Sequence, residues 1–311
     1  MAWRSERAHT VAPAKINLHL EILGKRPDGF HDLVSIFIMT SLSDEIEIRT
    51  EKRGAGFRLS GKFSCPVDQN LITKAVNAFC IKAGIPVDFS VRVKKRIPEG
   101  AGLGGGSSDA AAILRLLSGL FPDRLPEKEL FLIAASLGSD VLFFLTYAAA
   151  IVEGRGDRIT QMASRADFAI LLCVPEFSVS TKQAYSWLDN ARENTIQEKS
   201  AGIVKSVKKA GIKVPVVDPK QDFWEKNPGQ WQFFNSFYPV MQERFMEYML
   251  IEEEMKKAGA CFSTLSGSGS AFAGIFSGRK EAQKAKNALS RLLWFCKVIS
   301  PITRLPKIHL W

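Results

Sequence analysis

Apolar and polar positions alternate along this chain in two registers, and the places where one gives way to the other mark its elements. From Glu45 to Thr50, and again over Phe89-Ser-Val-Arg-Val-Lys94, apolar residues recur two apart, the pattern of a strand with one face buried. Past a run of glycines, Ala110-Ala-Ala-Ile-Leu-Arg-Leu-Leu117 supplies good helix formers with an apolar face, and Ser108 and Asp109 offer N-cap chemistry at its start. Pro126-Glu-Lys-Glu-Leu-Phe-Leu-Ile-Ala-Ala-Ser-Leu137 predicts a second helix, with proline and acids in its first turn and Gly138 as its stop, which puts Asp140 just beyond a helix end. The continuous apolar run from Phe168 to Val174 fits a buried strand or a short buried helix. Met246 to Ala258 has helical character, Gly259 can cap it, and Cys261 to Leu265 then runs as a strand into Gly267. Between them, Thr195 to Gln232 is polar, lysine-rich and broken by Pro215, Pro219 and Pro228, which predicts an excursion of helix and loop. No internal repeat or heptad series interrupts this order.

Length changes the picture by implying two domains: 311 residues, 46% of them hydrophobic, exceed what one core usually serves. No Pro/Gly/Ser-rich linker separates them, and the division is expected near residue 160, giving residues 1–160 and 161–311. The longest apolar stretch, Val141 to Val152, contains Thr146 and stops at Glu153, short of the roughly 20 residues a spanning helix needs. Arg4, Glu6 and Arg7 interrupt the N-terminus where a secretory signal would be apolar, so a cytoplasmic location is expected. Five scattered cysteines without a Cys-x-x-Cys pair indicate neither a disulfide framework nor zinc, and four isolated histidines lack metal-ligand spacing. The net charge of +10 points to an anionic partner: nucleotide, phosphorylated metabolite or nucleic acid. Short basic groups such as Lys94-Lys95-Arg96 are commonly solvated faces, and no aromatic-interleaved basic tract appears, so a nucleic-acid-binding module is the weaker alternative.

The chemistry is concentrated in Pro98-Glu99-Gly100-Ala101-Gly102-Leu103-Gly104-Gly105-Gly106-Ser107-Ser108, between a predicted strand and a predicted helix. Glycines allow positive φ and close approach to an anion, the free amides of the following helix supply donors, and the two serines add hydroxyls for phosphate or Mg²⁺. A Walker-type loop is excluded because no Gly-Lys-Ser or Gly-Lys-Thr follows. Gly100, Gly102 and Gly105 formally satisfy G-x-G-x-x-G, but a dinucleotide site needs a βαβ unit with an acid ending the next strand, and helix follows instead. Five glycines before a helix also exceed what a simple turn requires.

This segment resembles the phosphate loop of the GHMP kinases. Ala12-Pro-Ala-Lys-Ile-Asn-Leu18 is similar to that family's first motif and Leu265-Ser-Gly-Ser-Gly-Ser-Ala-Phe-Ala-Gly-Ile-Phe276 to its third, so three motifs in order span most of the chain. Pro27-Asp-Gly-Phe-His-Asp-Leu33 and Gln69-Asn-Leu71 resemble the branch of the family whose acceptor is diphosphocytidyl methylerythritol, an intermediate of non-mevalonate isoprenoid synthesis. The resemblance implies an α+β, mixed α/β, two-domain fold whose N-terminal half is like ribosomal protein S5 domain 2, with ATP and substrate meeting in the interdomain cleft. It implies ATP as phosphoryl donor, Mg²⁺ from the reaction rather than from a ligand motif, and no role for nucleic acid or membrane.

Carried onto this sequence, the resemblance makes Asp140 the group that accepts the hydroxyl proton and Lys15 its partner. Taken alone, Asp140 fits a helix start equally well; Lys15, between Ala14 and Ile16, already calls for an acid or a phosphate because a buried ammonium needs a partner. Asn70 and Lys95 fall near the adenosine, and residues 98–108 on the phosphates. Asn17, Phe30, His31, Thr181, Tyr185, Gly267, Ser268 and Gly269 fall on the substrate, with Phe30 and His31 on one side of the base and Tyr185 on the other. Another GHMP kinase, acting on mevalonate, homoserine or a sugar, shares the three motifs but not the Pro-Asp-Gly-Phe-His segment.

Overall fold

Residues 6–200, 224–291 and 293–311 are described by the computed structural model. Two long antiparallel strands, β1 (Arg7–Lys25) and β2 (His31–Thr50), form its spine, and only the last six residues of β2 were expected as strand. In β1 the burial alternates up to Val11 and is then unbroken from Ala12 to Leu20, because the strand acquires cover on both faces. Its polar positions Lys15, Asn17 and His19 are therefore as buried as Ala14, Ile16 and Leu18.

The first sheet has seven strands, in the order β11-β1-β2-β4-β3, with β5 (Ala149–Gly154) pairing with β2 and β6 (Arg158–Gln161) beyond it. Here β3 is Arg58–Ser60, β4 is Phe89–Lys94 and β11 is His309–Leu310. Helices α1 (Leu71–Ala83), α2 (Gly105–Leu120), α3 (Glu127–Leu137) and α4 (Ser139–Thr146) complete this half. Phe79, Phe89, Ile113, Leu117 and Phe143 are among its core residues. The second sheet is antiparallel, β10-β7-β9-β8, made of Phe295–Ile299, Ala169–Val174, Phe272–Phe276 and Phe262–Leu265. A second core joins the sheets, Ala14, Ile16 and Leu18 meeting Ile170, Leu172 and Ile275. A third lies between the other side of the second sheet and α5 (Thr181–Ser200), α6 (Tyr238–Gln242), α7 (Glu247–Lys257) and α8 (Arg279–Leu289).

The chain's end crosses back. Ser41 donates its amide to the Ser300 carbonyl at 2.8 Å, Ile302 and Ile308 pack on the first core, and β11 pairs with β1 through Ala8 opposite Leu310. Residues 301–311 thus go with the first sheet although they follow the second in sequence.

One local expectation is corrected. Helix α2 begins at Gly105 with Gly104 in the left-handed region (φ 68°) as its N-cap, so Ser108 and Asp109 lie inside the first turns and cap nothing. The segment from Thr195 to Gln232 was expected as helix and loop; its residues 201–223 lie outside the described residues, and the described part holds a short 3-10 helix (Pro228–Gln230) with Trp224 and Trp231, both 7% exposed, packed against Phe168. Among the described residues no helix is long and apolar enough to cross a membrane.

Candidate active site

The phosphate loop leaves β4, passes Lys95 to Pro98, and enters α2. Gly100, Gly102 and Gly104 all take positive φ (68°, 76° and 68°). Gly102 is the position where no side chain fits: a Cβ there would stand 2.2 Å from the Ser266 carbonyl oxygen. The loop borders a cavity of about 340 Å³ lined by residues 98–107 together with Asn70, Lys95 and Asp109. No side chain caps the start of α2, which leaves its first amides and the positive end of the helix dipole for an anion. Ser107 lines the cavity; Ser108 does not, and its buried hydroxyl has no partner among the described residues. Glu99 closes the rim by accepting the Ser64 amide at 3.0 Å.

The three motifs meet around this loop. The Lys15 amide donates to the Leu103 carbonyl at 3.0 Å, the Ala271 amide to the Ala101 carbonyl at 3.1 Å, and the Ser266 hydroxyl to the Gly102 carbonyl at 3.0 Å. Gly267 (φ 58°) abuts Gly102, and the Ser268 hydroxyl lies 3.2 Å from that of Thr181 at the start of α5. Asn235 braces the third motif by donating to the carbonyls of Leu265 and Gly267 at 2.8 and 2.9 Å.

Lys15 and Asp140 come together as expected, with 3.9 Å between Nζ and Oδ2. Asp140 sits in the first turn of α4, its side chain 35% exposed, whereas Lys15 is 4% exposed. Lys15 also donates to Asn17 Oδ1 at 2.6 Å and stands 4.6 Å over the Phe37 ring. Burial lowers its pKa, and the Asp140 charge works in the opposite direction. Asn17 in turn donates to the Ser35 hydroxyl at 2.8 Å and is 2% exposed. The arrangement offers an ammonium and a carboxylate side by side next to a phosphate-sized cradle of amides, the parts that phosphoryl transfer to an alcohol requires.

Lys95 is tied up by two acids. It lines the cavity, but its ammonium is held at 2.5 Å by Asp44 and at 2.7 Å by Asp109, both nearly inaccessible. Burial pushes the Asp109 carboxyl up to about 8, the Lys95 charge pulls it down, and Asp44 pushes it up again. The trio thus supports the floor of the loop rather than extending a free cation from it. Asp44 also accepts the Ile97 amide at 2.9 Å, tying β2 to the residue before Pro98. Asn70 spends its side-chain oxygen as the N-cap of α1, accepting from the Ile72 amide at 2.9 Å.

At the other end, His31 and Tyr185 stack on each other with centroids 4.5 Å apart, instead of standing on opposite sides of an open gap. His31 Nε2 is 2.9 Å from Asp189 Oδ1, a carboxylate that sequence did not single out. Phe30 is 59% exposed and lies 5.2 Å from the Arg155 guanidinium. Asp44, Asp189 and Ser35 lacked a periodic or motif signal of their own; Ser266 lay inside the third motif, and Asp109 was read as N-cap chemistry rather than as a partner of Lys95.

Comparison with known proteins agrees with this geometry. The family models described as GHMP kinases N terminal domain and GHMP kinases C terminal match residues 70–147 and 248–293. The chain is 33% identical to the 4-diphosphocytidyl-2-C-methyl-D-erythritol kinase of Thermodesulfovibrio yellowstonii over 93% of its own length and 96% of that protein. It is 36% identical to the kinase of the same name from Pseudothermotoga lettingae, over 85% and 89%. A crystal structure of 4-(cytidine 5'-diphospho)-2C-methyl-D-erythritol kinase superposes with a TM-score of 0.76 at 30% identity, covering 94% of this chain and 98% of that one. Homoserine kinase from Cytophaga hutchinsonii, at 15% identity and a TM-score of 0.70 over 99% of each chain, shares the fold. Cradle, buried lysine, neighbouring aspartate and these likenesses lead to one conclusion: the chain belongs to the GHMP kinases, a family of ATP-dependent small-molecule kinases, and groups there with the 4-diphosphocytidyl-2-C-methyl-D-erythritol kinases.

Proposed function

We propose that this chain transfers the γ-phosphoryl group of ATP to the 2-hydroxyl of 4-diphosphocytidyl-2-C-methyl-D-erythritol, in the cytoplasm. The observation that carries the mechanism is the Lys15–Asp140 pair at 3.9 Å, formed between α4 and the strand β1, whose Lys15 amide is bonded to the phosphate loop. Asp140 takes the proton of the acceptor hydroxyl, the freed oxygen attacks the γ-phosphorus, and the bond to the β,γ-bridging oxygen breaks to release ADP. Lys15 offsets the charge that gathers on the transferring oxygens. Residues 98–107 hold the ATP phosphates through backbone amides, while Asn70 and the Lys95 trio shape the adenosine side. Asn17, held by Ser35 and Lys15, orients the polyol; Gly267, Ser268, Gly269 and Thr181 border the diphosphate; Tyr185, His31 and Phe30 receive the cytosine.

Among the described residues no cluster of three or more His, Cys, Asp or Glu could hold a metal by itself. That fits a Mg²⁺ that arrives with the nucleotide, since this ion keeps several waters and takes mostly phosphate oxygens, and Ser107 on the cavity wall offers a hydroxyl ligand. Bound there, it would neutralise charge on the β- and γ-phosphates.

The test is a panel of acceptors presented to the purified protein with ATP and Mg²⁺. Turnover of the diphosphocytidyl polyol with the highest kcat/KM is expected. Faster turnover of mevalonate, homoserine or a sugar would overturn the assignment.

A further inference from the structure

A cavity of about 450 Å³ opens between α2, α3 and the returning C-terminal segment, apart from the phosphate loop. About half of its wall is apolar, with Leu130, Phe131, Leu145 and Ile308 contributing. Arg115, on the third turn of α2, lines the same space. Its guanidinium is half-buried, and burial alone shifts its pKa, downward, with no carboxylate among the described residues acting on it. Among the described residues it makes one hydrogen bond, from Nη2 to the Pro306 carbonyl at 2.5 Å, which leaves most of a five-donor fork for other acceptors. A guanidinium half out of water with no carboxylate set against it keeps donors for an anion, whereas the buried Lys95 is paired with two acids. The eleven-residue helix α3 begins at the same cavity with Glu127, and Pro126 gives its first amides no capping side chain.

The geometry points to a second ligand site here, for a small amphiphilic anion: an alkyl chain against Leu130, Phe131, Leu145 and Ile308, and a phosphate head between Arg115 and the first amides of α3. A phosphate suits both polar groups, because it accepts from a guanidinium fork and from helix N-terminal amides. The volume lies within the range of ligand pockets. Glu127, which also lines the cavity, opposes an anion and so limits affinity.

Octyl phosphate is the probe, titrated calorimetrically into the protein presaturated with ADP and Mg²⁺ so that the phosphate loop is already filled. Binding at one site, about tenfold or more tighter than either inorganic phosphate or 1-octanol, is expected, since charged hydrogen bonds and the alkyl wall each contribute on that scale. Arg115→Gln should weaken it at least about tenfold, and Glu127→Gln, an exposed change that leaves the fold alone, should tighten it. Octyl phosphate binding no better than inorganic phosphate, or a folded Arg115→Gln variant that binds as well as the parent, overturns the site. If Arg115→Gln does not fold because the Pro306 contact is lost, Glu127→Gln decides: unchanged or weaker binding overturns the proposal.

Discussion

The hydroxyl of Ser266 donates to the carbonyl of Gly102 at 3.0 Å, so a residue of the third motif fixes the shape of a loop 164 positions earlier in the chain. The same contact explains why Gly102 has no substitute, since a Cβ would lie 2.2 Å from the Ser266 carbonyl oxygen and φ is 76°. Gly102→Ala must push the third motif away from the loop. A displacement of this size is expected to lower kcat/KM for ATP by about 10²-fold. Gly100→Ala meets nothing within 4 Å and suffers only from its φ of 68°, a strain of about 1–2 kcal/mol. Steady-state kinetics and thermal melts of the two variants side by side check the contrast; equal losses would mean that strain, not the Ser266 contact, sets the requirement.

Asp140→Asn removes the proton acceptor while leaving every amide of the phosphate loop in place. Turnover should fall by about 10²–10⁴, with ADP affinity unchanged by calorimetry. The Lys15 ammonium also loses the one charge that raises its pKa against burial, so that pKa moves further down. If the variant keeps its activity, Asp140 serves only the start of α4.

The Lys95 trio makes a stability prediction. Lys95→Met leaves Asp44 and Asp109 facing each other without their cation, and removing one partner of a buried charge pair costs about 3–5 kcal/mol. Asp109→Asn is different. With its pKa pushed up to about 8, Asp109 is protonated at pH 6, and the amide replaces a neutral group of the same shape. A change under about 1 kcal/mol is expected there. Urea unfolding of both variants at pH 6 measures the difference, and a large loss from Asp109→Asn would place the negative charge on Asp109.

Much of this framework was legible in the sequence where periodicity is clean. Strands β4 and β7 and helices α3 and α7 fall within a residue or two of the expected positions, because each buries one face or, in β7, both, and each ends at a glycine, a proline or a charge. The phosphate loop was legible because only glycine fits its backbone. What stayed hidden depends on partners far along the chain. Asp44 looks like part of a polar turn after Ser41 and Ser43, yet it is fully buried, because Lys95, 51 residues on, neutralises it. Most of β1 escaped because Lys15, Asn17 and His19 interrupt the apolar signal on a strand buried on both faces. Cys173 and Cys296 looked scattered, but β7 and β10 place their sulfurs 3.6 Å apart. In the base region the residue types were anticipated and their arrangement was not: Tyr185 stacks on His31, whose position is fixed by Asp189.

His19 carries the clearest pH dependence. Its ring is fully buried, T-shaped against Phe234 at 4.7 Å, and Nδ1 accepts the Phe234 amide at 3.3 Å, so the neutral ring carries its proton on Nε2. Burial lowers its pKa from 6.5 to about 4, even with the Glu21 carboxylate 3.8 Å from Nε2. Between those values the unfolded chain binds a proton that the folded one does not, so His19's contribution is complete above pH 6.5 and is lost as pH falls toward 4. Integrated over that window the loss is about 3 kcal/mol. His19→Gln keeps an acceptor for the Phe234 amide and cannot titrate. Unfolding free energies measured from pH 7 to pH 4 should therefore fall more steeply for the parent than for the variant, by about that amount. Parallel curves would mean that the ring takes up its proton inside the fold, with Glu21 as its counter-ion.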